Sequence, residues 1–274
     1  MEQLSEHCWI ATSRFCRMNT VVVTGSSGAL VVDPGVHGDE LAALAAQLAD
    51  RFGGCALAVS THPHWDHLLW AADLGRAPRL ASARACELVA DTGRLGGIRA
   101  EAAEEVPECE LSLLGGVLPL TDYVLRDDAT DEAVAGRIGW DGPEVEFVVH
   151  DGHAPGHLGL RVPADGVVIA GDMCSDDEVP LLDLNGAAPL DDYWDGISKL
   201  ARLADQCEAL VPGHGTVARG ITEVHERFER DHDYLLSMAT GRSINDARLD
   251  GPGREWMLVE HEAMFNWCLR SPAT

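Results

Sequence analysis

The segment Thr61-His62-Pro63-His64-Trp65-Asp66-His67 constrains this chain more than any other. It places three imidazoles and a carboxylate directly after the apolar run Cys55 to Ser60. That short run, preceded by Gly53-Gly54, reads as a buried strand. His62 and His64 are two apart, so extended backbone points both to the same side. Asp66 and His67 follow where the chain turns into the next helix. The fold must therefore present these side chains together at the end of a strand. One metal ion could take the first pair and a second ion the other. Imidazole with carboxylate suits zinc, and iron, manganese or cobalt also fit the ligand types.

The surrounding pattern is mixed α/β. Val21 to Thr24 and Ala29 to Asp33 are β-rich runs across Gly25-Ser26-Ser27-Gly28, which predicts a hairpin. Asp39 to Arg51 carries Leu41, Leu44 and Leu48 at helical spacing, and Gly53-Gly54 ends it. Residues 81–110 read as helical pieces broken by Gly93, Gly96-Gly97 and Pro107. Val117 to Leu125 and Glu144 to Val149 are expected as strands. So are Leu158 to Val162 and Val167 to Ala170, paired across Pro163 to Gly166. A helix over Leu190 to Ala204, a strand over Ala209 to Val211 and a helix over Ile221 to Ala239 follow. The second half thus repeats the order of elements of the first. After a polar connection, Glu255 to Leu269 forms a helix whose stripe of Trp256, Val259, Ala263, Met264, Phe265 and Trp267 is expected to dock the tail.

Three further stretches put ligand-type side chains at strand ends: His153-Ala154-Pro155-Gly156-His157, Gly171-Asp172 and Pro212-Gly213-His214-Gly215. Glycine lets the backbone turn sharply there. The set His62-x-His64-x-Asp66-His67, then Pro-Gly-His157, Gly-Asp172 and Pro-Gly-His214-Gly resembles the metallo-β-lactamase fold superfamily, in the same order throughout. The resemblance implies a four-layer αββα sandwich with metals at one edge between the sheets. On it, His62, His64 and His157 would hold one metal, Asp66, His67 and His214 the second, and Asp172 would bridge them. It also implies that Asp33, in Val32-Asp33-Pro34-Gly35, supports the site from behind. Thr61 is a second candidate support. His153, with His150 and His37, could face substrate. Tyr193 is a candidate oxyanion donor, though its spacing aligns poorly. Cys174 is assigned no ligand role.

The expected activity is that of a dinuclear metal-dependent hydrolase with two Zn2+ per chain, Fe or Mn being possible. A metal-bridging hydroxide would attack the carbonyl of an ester, lactone, thioester or amide, with Asp66 assisting. The pattern sits nearest the lactonase and glyoxalase II-like branches. A mononuclear-iron sulfur dioxygenase-like oxidoreductase and a non-catalytic metal-binding member are the alternatives.

The 274 residues, 46% of them hydrophobic, suit one globular domain over 1–274, with 239–274 as a C-terminal connection and helix packed on it. Lys and Arg number 20 against 45 Asp and Glu, giving a formal charge of −25 that repels phosphate backbones. The expected partner is a small-molecule substrate, with no nucleic acid, no membrane and a possible homodimer. Eight scattered cysteines without a C-x-x-C pair, and an acidic N-terminus without an apolar stretch, predict reduced thiols and a cytoplasmic protein. His7, His225, His232 and His261 are expected in solvent.

Overall fold

The computed structural model describes residues 1–125 and 135–270. Residues 126–134 and 271–274 of the expected domain lie outside the described residues. The first sheet holds β1 (Glu2–Gln3), β2 (Cys8–Thr12), β3 (Asn19–Thr24), β4 (Ala29–Val32), β5 (Cys55–Val59), β6 (Arg79–Ala81) and β7 (Leu118–Pro119), in that spatial order. The second holds β8 (Ala135–Arg137), β9 (Glu146–His150), β10 (His157–Val162), β11 (Val167–Gly171), β12 (Ala209–Pro212) and β13 (Ala218–Arg219). The helices are α1 (Gly38–Phe52), α2 (Trp65–Leu68), α3 (Ala83–Ala90), α4 (Thr92–Glu105), α5 (Pro189–Leu203), α6 (Ile221–Thr240) and α7 (Glu255–Arg270).

Strand periodicity builds the layers. Val21, Val23, Leu30 and Val32 on one sheet meet Val167, Ile169, Ala209 and Val211 on the other, forming the core between the sheets. The alternate residues Val22, Ala29 and Val31 face outward onto Leu41, Leu44 and Leu48 of α1. On the opposite outer face, Val168, Ala170 and Leu210 pack with Ile197 and Leu200 of α5 and Leu235 of α6. Both sheets are buried on two sides, so their central strands are apolar on both faces. Burying each such aliphatic side chain contributes roughly 1.5–3 kcal/mol. The result is the expected αββα order of layers.

The parallel pairs β4–β5 and β11–β12 bring the ends of their strands to one edge. Backbone bonds stitch that edge across the sandwich. Leu158 N–H donates to Thr61 O at 2.7 Å, and Asn19 N–H to Gly213 O at 2.6 Å. Every loop that carries an expected ligand leaves the sheets there.

Several elements depart from the sequence expectations. The glycines at 93, 96 and 97 do not break the chain; all three lie inside α4. The Asp91 carboxylate caps that helix by accepting from Arg94 N–H at 2.9 Å, and Ala102 is buried beside Leu68 and Val106. Capping and packing together outweigh the helical cost of glycine, about 1 kcal/mol each. The strand expected over Val117 to Leu125 shrinks to Leu118–Pro119, followed by a 3-10 turn at Leu120–Tyr123. Pro119 lacks the N–H that would extend the ladder. Strand β2 was not foreseen, although it pairs with β3 over its whole length.

The tail helix docks through part of the expected stripe. Met264 is buried and Phe265 and Trp267 pack against the same core, joined by Met257 and Cys268, whereas Trp256, Val259 and Ala263 are exposed. All eight cysteines are free thiols. Among the described residues, no helix is long and apolar enough to cross a membrane.

Candidate metal centre

Two groups of ligand-type atoms converge at the shared edge. His62, His64, His153 and Asp172 form one, and Asp66, His67 and His214 the other, each with its atoms within 4.8 Å of one another. Asp172 lies between them. Its Oδ2 is 3.4 Å from His62 Nε2 and 3.6 Å from His153 Nε2, while its Oδ1 is 3.2 Å from His67 Nε2. His214 Nε2 reaches Asp66 Oδ2 at 3.1 Å.

The far nitrogen of most of these imidazoles is tied down, which fixes the near one. Thr61 Oγ1 donates to Asp33 Oδ2 at 2.7 Å, so it accepts from His62 Nδ1–H at 3.0 Å. His67 Nδ1–H donates to the same Asp33 oxygen at 2.9 Å. His153 Nδ1–H donates to Leu181 O at 3.1 Å and His214 Nδ1–H to Cys16 O at 3.0 Å. Each therefore spends Nδ1 on the protein and turns Nε2 toward the centre. Asp33 holds its position at φ 50° and also accepts from Thr61 N–H at 2.8 Å.

The glycines beside the ligands are required by contact. Gly171 has φ +55°, and a Cβ there would collide with the His157 imidazole. A Cβ on Gly213 would collide with the Asp172 carboxylate.

The electrostatics differ between the two groups. Burial, reinforced by His67, holds His62 well below the ordinary imidazole range, and burial with His64 nearby pushes His153 down to about 3. Burial alone would also lower His67, but Asp172, Asp66 and Asp33 overrule it and raise that imidazole well above its ordinary value. His214 is likewise carried up to about 10 by Asp172 and its bond to Asp66, against burial. The same imidazoles keep Asp66 and Asp172 below the usual carboxylate range despite burial.

The donor set fits divalent metal ions. His62 Nε2 and His153 Nε2 both face His64 Nδ1, at 3.0 and 3.1 Å, and that one nitrogen holds at most a single proton to share between them. His67 Nε2 and Asp172 Oδ1 are buried without a hydrogen-bond partner. Buried polar atoms left open this way are rare unless an ion or water takes them. Imidazole and carboxylate suit zinc, iron or manganese alike.

The sequence model of the metallo-beta-lactamase superfamily matches residues 14–214. The chain belongs to the metallo-β-lactamase superfamily. No curated protein matches it. Among solved structures, its fold is similar to that of the sec-alkylsulfatase Pisa1 from Pseudomonas sp., with a TM-score of 0.68 and 16% identity over 97% of this chain and 50% of that one. The chain thus spans half the length of that alkylsulfatase. A metallo-beta-lactamase family protein from Thermus thermophilus gives 0.65 and 17% over 97% of this chain and 94% of that one. TTHA1623, solved in a di-iron-bound form, gives 0.55 and 23% over 77% and 94%. These identities speak for the fold alone.

One residue expected as a ligand lies outside both groups. His157 belongs to neither group of ligand-type atoms, and His153 is in the first. His157 opens strand β10 and pairs in register with His150 of β9. Its ring lies stacked between His62, with centroids 4.9 Å apart, and His150, at 4.6 Å. Its Nε2 is already used, accepting from Asp172 N–H at 3.2 Å. His153 sits on the loop before the strand, which Asp151 closes by accepting from Gly156 N–H at 2.7 Å. A side chain on that loop can reach over the edge, whereas one in the strand stays beneath it.

The remaining candidates lie elsewhere. His150 is buried behind His157, with its Nδ1 accepting from Gly152 N–H. His37 lies 3.4 Å from Glu108 at the start of α1. Tyr193 is fully buried with its hydroxyl unpartnered, among the core residues of α5 and α6. Cys174 joins neither group. Of the histidines expected in solvent, His225 and His232 are exposed. His7 instead pairs with Asp165 at 3.0 Å, and His261 lies 2.7 Å from the Tyr234 hydroxyl.

One structural element escaped the sequence reading. Arg248 Nη1 donates to Ser175 O at 3.1 Å and Glu178 O at 2.9 Å and pairs with Asp231 at 2.5 Å. Asp231 in turn accepts from Cys174 N–H at 2.9 Å, and Ser175 Oγ–H donates to His214 O at 2.7 Å. This network fastens the strap after Asp172 to the loop of His214. No local pattern in the sequence marks it.

Proposed function

We propose that this protein is a metal-dependent hydrolase of a small carbonyl substrate, an ester, thioester, lactone or amide. The observation that carries the reading is Asp172, whose carboxylate lies between the two groups of ligand-type atoms, near His62 and His153 of one and His67 and His214 of the other. In this reading, His62, His64 and His153 would hold one ion, Asp66, His67 and His214 the other, with Asp172 between them. Two bound divalent ions supply a water acidified to a pKa of about 7 and positive charge that polarises a carbonyl. Asp66, kept ionised by His67 and His214, accepts the proton that water sheds and returns it to the leaving group. Asp33 and Thr61 keep His62 and His67 in the tautomers that leave Nε2 free. Superfamily membership and the fold shared with a sulfatase support hydrolysis as the reaction class.

Metal analysis combined with a panel of chromogenic esters, lactones, thioesters and sulfate esters tests the proposal. We expect two zinc equivalents per chain and hydrolysis of at least one carbonyl class, lost on chelation and restored by zinc. Asp66→Ala protein that keeps its metal should lose turnover. One iron per chain with oxygen uptake, or unchanged turnover in Asp66→Ala, would overturn it.

A further inference from the structure

A cavity of about 700 Å³ opens outward from His64, Asp66 and His153. Two helices face each other across it. Helix α4 contributes Arg94, Ile98 and Glu101, at spacings of four and three residues, and α7 contributes Trp256, Glu260 and Met264, four residues apart. Those spacings keep each set on one helical face. Helix α7 lies beyond the residues that the superfamily model matches, so this wall stands outside the matched core.

The tail helix is firmly seated. Met257, Met264 and Cys268 are buried in the same core cluster as Tyr234, Leu235 and Met238 of α6. Met264 Sδ also accepts from Leu182 N–H at 3.1 Å. The neighbouring Leu181 carbonyl is the one that orients His153. The wall and the candidate metal centre therefore share one strap of chain.

The pocket's chemistry is lopsided. Trp65, Leu88, Ile98, Leu181, Leu184 and Trp256 give it apolar sides. Beyond Asp66, its charged lining is Glu101, Asp183 and Glu260 against Arg94 alone. Among the described residues, Arg94, Glu101 and Glu260 make no ion pair, so this excess of negative charge is not neutralised locally. On a chain of formal charge −25, this outer lining disfavours a negative charge held away from the metal centre, while its apolar side chains offer contact to an uncharged group.

We propose that α7 is the substrate-selecting wall of this site, and that the site takes carbonyl compounds whose non-reacting part is an uncharged apolar chain or ring. This rests on the hydrolase reading above and adds the class of group that the pocket recognises. Each methylene that enters the pocket should be worth roughly fourfold in kcat/KM, the usual value of burying a CH2 group. A carboxylate at the far end of the same chain should remove that gain.

The test uses the zinc-loaded full chain and 4-nitrophenyl esters: acetate, butyrate, hexanoate, and the monoester of adipate as the hexanoate analogue with a terminal carboxylate. From acetate to hexanoate, kcat/KM should rise at least about tenfold, and the adipate monoester should fall at least about tenfold below hexanoate. Trp256→Ala should cut the hexanoate-to-acetate ratio at least about threefold. Glu260→Lys should narrow the gap between hexanoate and adipate monoester. Binding of 1-hexanol, followed by calorimetry, supplies a readout independent of turnover and should weaken in Trp256→Ala. A flat chain-length profile in an active enzyme, or a Trp256→Ala protein with unchanged selectivity and hexanol affinity, would overturn the wall. If no ester, thioester, lactone or amide is turned over but hexanol binds in a Trp256-dependent manner, the hydrolase reading falls and the pocket stands.

Discussion

The two sheets supply the centre in unlike ways. The first gives His62, His64, Asp66 and His67 from one loop after β5, supported by Asp33 and Thr61 in the same half. The second gives His153, Asp172 and His214 from three separate loops. Those loops are fastened by residues far along the chain: Leu181 for His153, Cys16 and Ser175 for His214, and Asp231 with Arg248 for the strap after Asp172. One half of the site is thus local and the other is assembled. A local half stays together as long as its strand forms, whereas an assembled half depends on every element that anchors it.

The largest expected effect compares the two neighbouring histidines of the assembled half. His153→Ala should lower bound zinc from two equivalents to one and reduce turnover at least about 10²-fold, the scale of the several kcal/mol a catalytic ion supplies. His157→Ala should keep both equivalents, with metal affinity weakened by about 10–100-fold as for a supporting group. The reverse pattern in metal analysis would return His157 to the ligand set.

An anchor of the assembled half comes next. Arg248→Met leaves Asp231 buried and uncompensated, and should cost about 3–5 kcal/mol in the urea unfolding of the protein. Zinc release to a chelator should show one ion leaving faster than in the parent while the other is retained as before. Equal loosening of both ions would erase the distinction between the halves.

The smallest effect is a pH dependence behind the assembled half. Burial, with Lys199 nearby, pushes His150 down to about 3. Its folded value therefore lies below the unfolded value of about 6.5. Above that value both states are neutral and nothing is lost. As pH falls below it, the unfolded chain binds a proton that the native state refuses. Stability then declines by about 1.4 kcal/mol per pH unit toward pH 3. His150→Asn, which keeps an acceptor for Gly152 N–H, should flatten this part of the denaturant-midpoint profile. An unchanged slope would assign the acid sensitivity to other groups.

Much of the fold was legible because it rests on short-range periodicity. Leu41, Leu44 and Leu48 on α1, the β3–β4 hairpin and the β10–β11 pair each satisfy a pattern that a few residues contain. Helix α4 and the shortened β7 were not legible. In the first, packing of Ala102 and the Asp91 cap overrode glycine, and in the second a proline ended the ladder.

The site divides along the same line. By itself the sequence singled out the loop from His62 to His67, since His62 and His64, two apart at a strand end, face one side. It also marked Asp172 and His214, through the glycine before each and the order of the motifs. Only the tertiary structure decided between His153 and His157. The two are the same residue type four positions apart, and nothing local separates them. Pairing of β10 with β9 buries one ring between His62 and His150, while the loop before the strand lifts the other to the centre. Which α7 residues dock and which line the pocket was settled in the same way, by where the helix meets α6 rather than by its own stripe.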